Sequence, residues 1–505
     1  MADNTTLPPP PDNVTRYTLS PETELRIEIP ALSGGGGGGT SSSTNTTTIT
    51  LKQGSAELFG AELPPERPLS LSNVKIAIFT WHGCVIDVSN PNNLDMIYES
   101  DETDANVAYV NTHAQLEAMR DEALIHAGNE NTNGNEGKRE DNDGSSGGGC
   151  GPRVLLVGPV DCGKSSLARV LTAYAVKLGR NPLLVDLDAS QNMLSVPGTL
   201  AAIPVSSDMV SAECYGTSSI MGGVGTNTMM MPLVLWYGSQ DLNAHPDLYK
   251  AQLTKMGKAI DDRLSGDSEA NASGIIVNAS GLIEDVGYQY LLHAIEAFNI
   301  NVVLVLGHDR LYSMLGTHFK KQTESVTRKI PKLIKLPRSG GVVSRDAAFR
   351  RASRSQCIKR YFYGNSVPSK DAVSATTATQ YQYSPSLIEV SFSDVHLHKL
   401  SNISLSASLL PISAKQSTDP IQLSIISSSD ITPKFQQNVL AVCHPSAVEK
   451  YEESGSARDL YLSGVAGFVV VEKVDVDKGT LSLLSPCAGS LPSSHLLVGD
   501  IFWLE

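Results

Sequence analysis

Short apolar runs alternate with helical patterns through the middle of the chain. The first run covers 154–157, and apolar residues then recur at helical intervals over 165–178. A second helical pattern covers 288–298. Further runs typical of buried strands cover 183–188, 274–278, 302–306 and 333–336. This strand–helix–strand alternation predicts an α/β domain over 151–366 with a parallel, doubly wound sheet.

The N-terminal part of the chain has a period of two instead. Leu25, Ile27 and Ile29 face one way and Arg26 the other, which predicts a half-buried strand with charges on its exposed face. Further short strands are predicted at 49–51, 56–59, 74–79, 84–88 and 108–111, followed by a helix at 113–127. Turn signals separate these strands as in a sandwich, so we predict a β-sandwich-like domain over 14–127.

Alternation returns near Leu387 and predicts a C-terminal β-rich domain over 380–505. The strands of this domain include 468–471, 481–484 and 501–503. Low-complexity segments lie before, between and within the domains. They are a disordered tail at 1–13, an inserted Gly/Ser/Thr loop at 34–48, a flexible linker at 128–150 and a mobile Met-rich loop at 208–231.

Composition narrows the class of protein. A chain of 505 residues with 41% apolar residues has room for about three globular domains. The net charge of −14 argues against broad, non-specific nucleic-acid binding, so an RNA substrate would need a local basic site. Seven scattered cysteines without a C-x-x-C pair suggest neither a zinc site nor a disulfide framework. No secretion signal or long apolar run is evident, so we expect no membrane partner.

Residues 158–165 read Gly-Pro-Val-Asp-Cys-Gly-Lys-Ser, which has the P-loop spacing G-x-x-x-x-G-K-S. The loop lies between a predicted strand and a predicted helix, as phosphate binding at a helix N-terminus requires. Lys164 would reach the β- and γ-phosphates, and the Ser165 hydroxyl would ligate Mg²⁺. The alternative, a Gly-rich turn with a surface lysine, does not account for the flanking elements.

Carboxylates follow the next predicted strand. Asp188 stands at its C-terminal end, where open α/β sheets bind nucleotides. Asp188 would therefore serve Mg²⁺ or accept the proton of an attacking hydroxyl. Asp186, two residues earlier on the same strand face, is the rival for the metal role. The other interpretation of Asp188 is a turn-forming residue that caps the next segment.

A basic segment at 345–360 has a helical pattern. Arg350 and Arg354 share a helix face by their i, i+4 spacing, and their like charges repel each other. The segment carries Arg345, Arg350, Arg351, Arg354, Lys359 and Arg360. Guanidinium groups stabilise the charge of a transferring phosphoryl group, which would explain the cluster. A solvated basic helix face is the alternative.

Several further runs give the chain a resemblance to the Clp family. They are Thr-Glu-Leu-Arg at 23–26, Ala-Glu-Leu-Phe-Gly at 56–60, Phe-Thr-Trp-His-Gly-Cys at 79–84, Asn-Thr-His at 111–113, Val-Pro-Gly-Thr at 196–199, Ser-Gly-Gly-Val-Val at 339–343, Tyr-Phe-Tyr-Gly at 361–364 and Val-Ala-Gly-Phe at 465–468. Members of that family are polyribonucleotide 5′-hydroxyl kinases and subunits of the pre-mRNA cleavage and polyadenylation machinery. The resemblance spans nearly the whole chain outside the low-complexity segments at 34–48 and 128–150.

The resemblance implies a central P-loop domain flanked by two β domains, the first closing over the base of bound ATP. Glu24 and Lys75 match the family's ATP contacts outside the P-loop, and Arg345 and Arg350 match its lid arginines. The phosphate-binding run is matched by Asp161, Cys162, Gly163, Lys164, Ser165 and Ser166. ATP and Mg²⁺ are the cofactors so implied, with subunits of the cleavage complex as partners and a nuclear location.

Two positions depart from the family's kinases. The kinases carry Asp-x-Gly-Gln after the second strand, where this chain has Ser190 in place of Gly. They also carry a Gly-Trp pair whose Trp clamps the terminal RNA base, where this chain has Gly281 and Leu282. Leucine has no π face, and stacking is worth about 1–3 kcal/mol per base. We expect the change at 282 to weaken RNA binding roughly ten- to a hundredfold.

Two hypotheses of different class follow. In the first, the protein is a kinase in which Asp188 acts on an RNA 5′-hydroxyl while Lys164, Arg345 and Arg350 stabilise the transferred γ-phosphoryl group. In the second, it is a non-catalytic scaffold in which bound ATP fixes the domains while the surface docks a cleavage-complex subunit. The intact P-loop favours the first, and Leu282 favours the second. A further alternative is an RNA kinase of tRNA splicing that works with the tRNA splicing endonuclease.

Overall fold

The computed structural model describes three packed parts of the chain. The described residues are 8–30, 47–89, 94–132, 149–212, 216–217, 231–323, 330–364, 366–367, 380–400 and 421–503. The predicted tail lies partly outside these residues. Most of the Gly/Ser/Thr loop, most of the linker and most of the Met-rich loop also lie outside them. The α/β architecture with a β domain on either side of a P-loop domain is confirmed.

The N-terminal part contains two facing sheets and one long helix. Its elements are β1 (Val14–Leu19), β2 (Thr23–Ile29), β3 (Thr47–Gly54), β4 (Glu57–Leu58), β5 (Ala61–Glu62), β6 (Leu69–Leu71), β7 (Val74–Thr80), β8 (Cys84–Ser89), β9 (Met96–Ser100) and α1 (Asp104–Thr132). The sheets have the strand orders β1-β8-β3-β6 and β5-β4-β7-β2-β9. Leu25, Ile27 and Ile29 are buried in the core between them, as the alternation predicts.

The opposite face of β2 differs from the prediction. Glu24 is 3% exposed and Arg26 is 6% exposed, so the charged face of this strand is buried rather than solvated. It is covered by the turn at Gly340 and Gly341 of the central part, which lies against both side chains. A period-two pattern distinguishes two faces but does not show that a second domain covers the polar one.

The predicted strand at 108–111 is wrong, because these residues lie inside α1. Ala105, Tyr109 and Leu116 share one face of the helix and join the core of the central part. Arg120 is fully buried on the same helix and donates from Nε to the carbonyl oxygen of Ser273, at 3.0 Å. Contacts with a distant part of the chain thus override the local strand preference. The predicted helix at 113–127 is confirmed.

The central part is a sheet with helices on both faces. Its elements are β10 (Arg153–Val157), α2 (Lys164–Lys177), β11 (Leu183–Asp186), β12 (Thr199–Pro204), β13 (Val210–Ser211), β14 (Gly216–Thr217), β15 (Leu233–Trp236), α3 (Pro246–Ser265), α4 (Ser268–Ser273), β16 (Ile275–Asn278), α5 (Val286–Ala297), β17 (Val302–Leu306), α6 (Asp309–Thr323), β18 (Lys332–Leu336) and α7 (Ala347–Tyr363). The strand order of the sheet is β15-β12-β11-β16-β10-β17-β18.

The prediction of a parallel sheet holds for only part of it. The strands β11, β16, β10, β17 and β18 are parallel, whereas β12 pairs antiparallel with β11, and the edge strand β15 pairs antiparallel with β12. The connection from β11 to β12 contains no crossover helix, so the chain returns antiparallel beside the strand it has just left. The sheet is therefore mixed.

The C-terminal part is built on one twisted sheet. Its elements, with the short connecting pair that precedes it, are β19 (Ser366–Val367), β20 (Gln380–Tyr381), β21 (Ser386–Ser391), β22 (His396–Leu400), β23 (Leu423–Ile425), β24 (Asn438–Cys443), α8 (Pro445–Ser454), α9 (Ala457–Tyr461), β25 (Val465–Asp475), β26 (Thr480–Ser485) and β27 (His495–Phe502). The strand order is β21-β26-β25-β24-β27-β22-β23. Among the described residues, no helix combines the length and apolar character that a membrane span requires.

Candidate functional site

One cavity of about 290 Å³ lies at the carboxyl ends of β10, β11 and β16, between the N-terminal and central parts. It brings together the residues that the resemblance and the P-loop pattern assign to catalysis and nucleotide contact. These residues are Glu24, Lys75, Asp161, Cys162, Gly163, Lys164, Ser165, Ser166, Asp188, Arg345 and Arg350. Leu282 and Ser190, the two departures from the kinase pattern, line the same cavity.

The P-loop has the geometry that its spacing predicts. β10 ends at Val157, and α2 begins at Lys164 after Gly163, whose φ of 95° falls in the left-handed region that glycine adopts without strain. The loop therefore delivers backbone N–H groups to the N-terminus of α2, which favours anions. The Lys164 ammonium is 7% exposed and donates to the carbonyl oxygens of Gly158 (2.9 Å) and Pro159 (2.7 Å).

A buried polar network stands beneath Ser165. The Asn278 amide, at the end of β16, donates to Ser165 Oγ (3.2 Å) and to Asp186 Oδ1 (2.9 Å). Asp186 also accepts from the backbone N–H of Met193 at 2.7 Å. Burial and the neighbouring Asp188 raise the pKa of Asp186 to about 7. The network links the hydroxyl of the P-loop serine to the end of β11.

Asn278 is the member of this network that the sequence reasoning missed. Its side chain is fully buried, and its Oδ1 atom has no hydrogen-bond partner among the described residues. Its only sequence signal is a polar residue at the end of an apolar strand. The buried Asn278 amide therefore lies next to the oxygen atoms of Ser165 and Asp186. Mg²⁺ prefers oxygen ligands of this kind.

Asp188 occupies a different position from Asp186. The strand β11 ends at Asp186, so Asp188 lies in the following turn and lines the cavity, whereas Asp186 is fully buried. Ser190 donates to Asp188 Oδ1 from both its backbone N–H (3.0 Å) and its hydroxyl (2.6 Å). The residue that replaces glycine in the kinase pattern therefore holds the carboxylate in place.

The segment from Pro337 to the end of α7, here called the lid segment, closes the cavity from above. Asp161 joins it to the P-loop, because Asp161 Oδ2 accepts from the Arg345 backbone N–H (3.0 Å) and from Arg350 Nη2 (2.6 Å). The helix predicted at 345–360 is confirmed, although it begins at Ala347, so Arg345 precedes it. Burial, together with repulsion from Arg350, lowers the pKa of Arg345.

The N-terminal part contributes two charged strands to the cavity wall. Arg26 Nε donates to Glu24 Oε1 at 2.5 Å, which fixes a carboxylate that lines the cavity. Lys75 on β7 pairs with Glu28 Oε2 at 2.8 Å. The Lys75 ammonium also lies 5.6 Å from the centre of the Phe349 ring of α7. Arg26 and Phe349 are positioning residues that the sequence did not single out.

Three regions of the chain match sequence families. Residues 18–123 match an N-terminal beta-sandwich domain of polyadenylation factor. Residues 158–364 match the P-loop domain of mRNA cleavage and polyadenylation factor CLP1, and residues 383–505 match pre-mRNA cleavage complex II protein Clp1. Together these regions cover nearly all of the chain and fall in the three parts of the fold.

Whole-length relatives agree with these matches. The chain is 32% identical over 495 residues to a CLP1 homologue of Arabidopsis thaliana, covering 98% of this chain and 95% of that protein. It is 33% identical over 493 residues to the polyribonucleotide 5′-hydroxyl-kinase Clp1 of Danio rerio, covering 97% and 94%. A third relative is the mRNA cleavage and polyadenylation factor clp1 of Aspergillus niger, with 33% identity over 463 residues and 88% of each chain covered.

Solved structures share the fold. The structure of wild-type Clp1p in complex with a Pcf11p segment has a TM-score of 0.73 and 24% identity, covering 98% of this chain and 99% of that one. A second structure, which concerns the interface between Pcf11p and Clp1p, has a TM-score of 0.74. On the strength of the full-length relatives and the three matched regions, the chain belongs to the Clp1 family of pre-mRNA cleavage complex II proteins.

Proposed function

We propose that the protein is an ATP-binding, nuclear subunit of the pre-mRNA 3′-end cleavage and polyadenylation machinery that phosphorylates RNA 5′-hydroxyl ends. The observation that carries the proposal is the cavity in which a P-loop, a cavity-facing carboxylate and two lid arginines meet. Relatives named as cleavage factors and as polyribonucleotide 5′-hydroxyl kinases support it. Other subunits of the cleavage complex are the proposed partners.

The residues of the cavity fit ATP and Mg²⁺. The N–H groups at the start of α2 and the Lys164 ammonium suit the phosphates of ATP, and the wall formed by Glu24 and Lys75 suits its base. Ser165 would ligate Mg²⁺, with Asp186 and Asn278 as oxygen donors behind it and Asp188 in front. Bound Mg²⁺ neutralises phosphate charge. The Ser165 hydroxyl already belongs to a network that fixes its direction.

Phosphoryl transfer then assigns a task to each protein group. The 5′-oxygen of the RNA attacks the γ-phosphorus of ATP, and the bond from that phosphorus to the bridging oxygen of ADP breaks. The proton of the attacking hydroxyl passes to the Asp188 carboxylate, which Ser190 holds in the cavity. Arg345 and Arg350 line the same cavity, where guanidinium groups stabilise the charge of the transferred group.

A second candidate function is a scaffold in which ATP is a structural ligand. Leu282 favours it, because this side chain offers no aromatic face for a terminal base. The contacts of the lid segment with Asp161 of the P-loop and with Lys75 of the N-terminal part also favour it. ATP bound between these segments would hold them together. A kinase of tRNA splicing is a further alternative with the same chemistry and a different RNA.

The experiment that separates these functions measures transfer of labelled γ-phosphate from ATP to a short 5′-hydroxyl RNA. We expect the wild type to label the RNA and Lys164→Ala to lose about a hundredfold or more of that rate. Lys255→Ala, an exposed lysine of α3, is the matched control and should keep it. Folded protein that retains ATP but labels no RNA would refute the kinase and leave the scaffold.

A further inference from the structure

The last strand of the C-terminal sheet reaches into the central part of the molecule. The strand β27 ends at Phe502, and the two residues that flank Phe502 in the chain, Ile501 and Trp503, are both buried. Both belong to the apolar core that also contains the strands of the central sheet. Phe502 is exposed, as alternation along a strand requires. Two neighbouring side chains at the end of β27 therefore join the C-terminal part to the central part.

Trp503 holds the last turns of α7, the helix of the lid segment. Its ring stacks on the buried Phe362 ring, with the ring centres 5.8 Å apart and the planes 9° from parallel. Its indole N–H donates to Ser355 Oγ of the same helix at 3.1 Å. Its backbone N–H donates to the carbonyl oxygen of Gln437 at 2.8 Å, which ties it to the C-terminal part. These contacts fix α7 against β27 at two separate turns.

A second aromatic ring of α7 is also anchored in the C-terminal sheet. Tyr361 Oη accepts a hydrogen bond from the backbone N–H of Phe468 on β25 at 3.0 Å, and the two rings meet edge to face. The other end of α7 carries Arg350, which donates to Asp161 of the P-loop. About 18 Å of helix separates Arg350 from Phe362. One continuous helix therefore connects the C-terminal sheet to a lid arginine.

Ile501 supports the turn that carries Asp188. A Cβ atom on Gly198 would lie 2.7 Å from the Ile501 side chain, so this side chain packs directly on the Gly198 backbone. The Gly198 N–H donates to the carbonyl oxygen of Ala189 at 2.8 Å. Ala189 is buried and directly follows Asp188 in the chain. A displacement of β27 would thus reach the turn of Asp188 through one packing contact and one hydrogen bond.

We propose that Ile501 and Trp503 are positioning residues for phosphoryl transfer, through which the C-terminal part holds the lid arginines and the Asp188 carboxylate at their reacting separation. The inference rests on the proposed function for the reaction concerned. Transfer needs both groups in place at once, and β27 contacts the supports of both.

The positions of these residues also say which kinetic quantity they affect. Among the described residues, none of the C-terminal part lines the nucleotide cavity. The P-loop and the N-terminal part supply the groups that suit ATP, and neither set of groups depends on β27 for its hydrogen bonds. The C-terminal part should therefore set the rate of transfer and leave the affinity for ATP nearly unchanged.

The first measurement separates these two quantities. Trp503→Leu removes the stacked ring and the indole N–H but keeps an apolar side chain. We expect its single-turnover transfer of labelled γ-phosphate to a 5′-hydroxyl RNA to be about ten- to a hundredfold slower, because small misplacements of reacting groups cost this much. Its dissociation constant for ATP should stay close to that of the wild type. Trp503→Phe, which keeps a ring, should recover part of the rate, and the matched control Phe502→Leu should keep both quantities.

A second measurement does not depend on transfer. Hydrogen–deuterium exchange followed by mass spectrometry reports local opening of the backbone in peptides that cover 187–199 and 337–352. Trp503→Leu should speed exchange in the lid peptide, and Ile501→Ala should speed it in the peptide that contains Asp188, each relative to Phe502→Leu. Melting temperatures check that each variant is folded. Trp503→Phe and Ile501→Val carry the same comparison where a larger change prevents folding.

Slower transfer and faster exchange at these two segments, with unchanged ATP affinity, would support the inference. Wild-type transfer and exchange in both Trp503→Leu and Ile501→Ala would overturn it, as would an equal loss in Phe502→Leu. A slower rate explained wholly by weaker ATP binding would also overturn it, because the C-terminal part would then support nucleotide binding. Where even the wild type transfers no phosphate, the kinase is refuted, and the exchange experiment still decides whether β27 holds the two segments.

Discussion

The ring of Phe349 stands between two cations from different parts of the chain. The Lys75 Nζ atom of β7 lies 5.6 Å from the ring centre, and Arg345 Cζ of the lid segment lies 5.7 Å from it. Each contact of this kind is worth about 0.5–1 kcal/mol at a partly exposed position. We therefore predict that Phe349→Leu removes about 1–2 kcal/mol of coupling between the N-terminal part and the lid segment.

This loss should appear in ATP binding, because Lys75 and Arg345 both line the nucleotide cavity. A loss of about 1–2 kcal/mol corresponds to a dissociation constant for ATP that is roughly five- to thirtyfold higher. The lower end is expected, since the ion pair between Lys75 and Glu28 at 2.8 Å still holds the lysine when the ring is gone. Leucine has a similar apolar bulk, so the fold should persist.

Isothermal titration of ATP against four proteins tests the prediction. They are the wild type, Phe349→Leu, Lys75→Met and the double variant, with Phe349→Tyr as the control that keeps a ring. A coupled ring makes the double variant less impaired than the sum of the single changes. Additive effects, or wild-type affinity in Phe349→Leu, would refute the reasoning.

Three further predictions concern other sites. Leu282→Trp should tighten RNA binding about ten- to a hundredfold and raise RNA phosphorylation, and unchanged phosphorylation would contradict the missing-clamp explanation. Asp161→Asn should weaken the bond to Arg350, so limited proteolysis should cut the lid segment faster than in the wild type; equal cutting rates would contradict it. Burial and then repulsion from His495 lower the pKa of His398 from 6.5 to about 4. The unfolded chain therefore binds a proton more readily than the folded protein, and the free energy of unfolding decreases as the pH falls below 6.5. His398→Gln should therefore show a smaller drop in melting temperature between pH 7 and pH 5 than the wild type, and an equal drop would contradict this assignment.

The sequence predicts the P-loop, its strand and its helix because all the required signals are local. The backbone needs a glycine at 163, a cation at 164 and a hydroxyl at 165, and each can be recognised within a few residues. The helix that carries Arg350 and Arg354 is predictable for the same reason, from its spacing alone. The resemblance to the Clp family adds Glu24 and Lys75, whose local patterns suggest only exposed strand charges.

The remaining features depend on contacts between distant segments. The burial of Arg26 follows from a glycine pair more than three hundred residues later in the chain, which no periodicity can show. The stretch at 108–111 favours a strand locally but is helical because Tyr109 packs into the central core. Asn278 looks like an ordinary strand end until the fold places it beside Ser165. Such positions need the three-dimensional structure.

The most direct test of the central claim compares nucleotide binding with phosphate transfer in Asp188→Asn. The account predicts an unchanged dissociation constant for ATP measured without Mg²⁺ and a single-turnover transfer rate with Mg²⁺ that is about 10²- to 10⁴-fold lower, because the proton of the attacking hydroxyl loses its acceptor. Asp262→Asn, an exposed carboxylate of α3, is the matched control and should keep both quantities. Wild-type transfer in Asp188→Asn, or a loss explained wholly by weaker ATP binding, would contradict the assignment of this cavity as a transfer site.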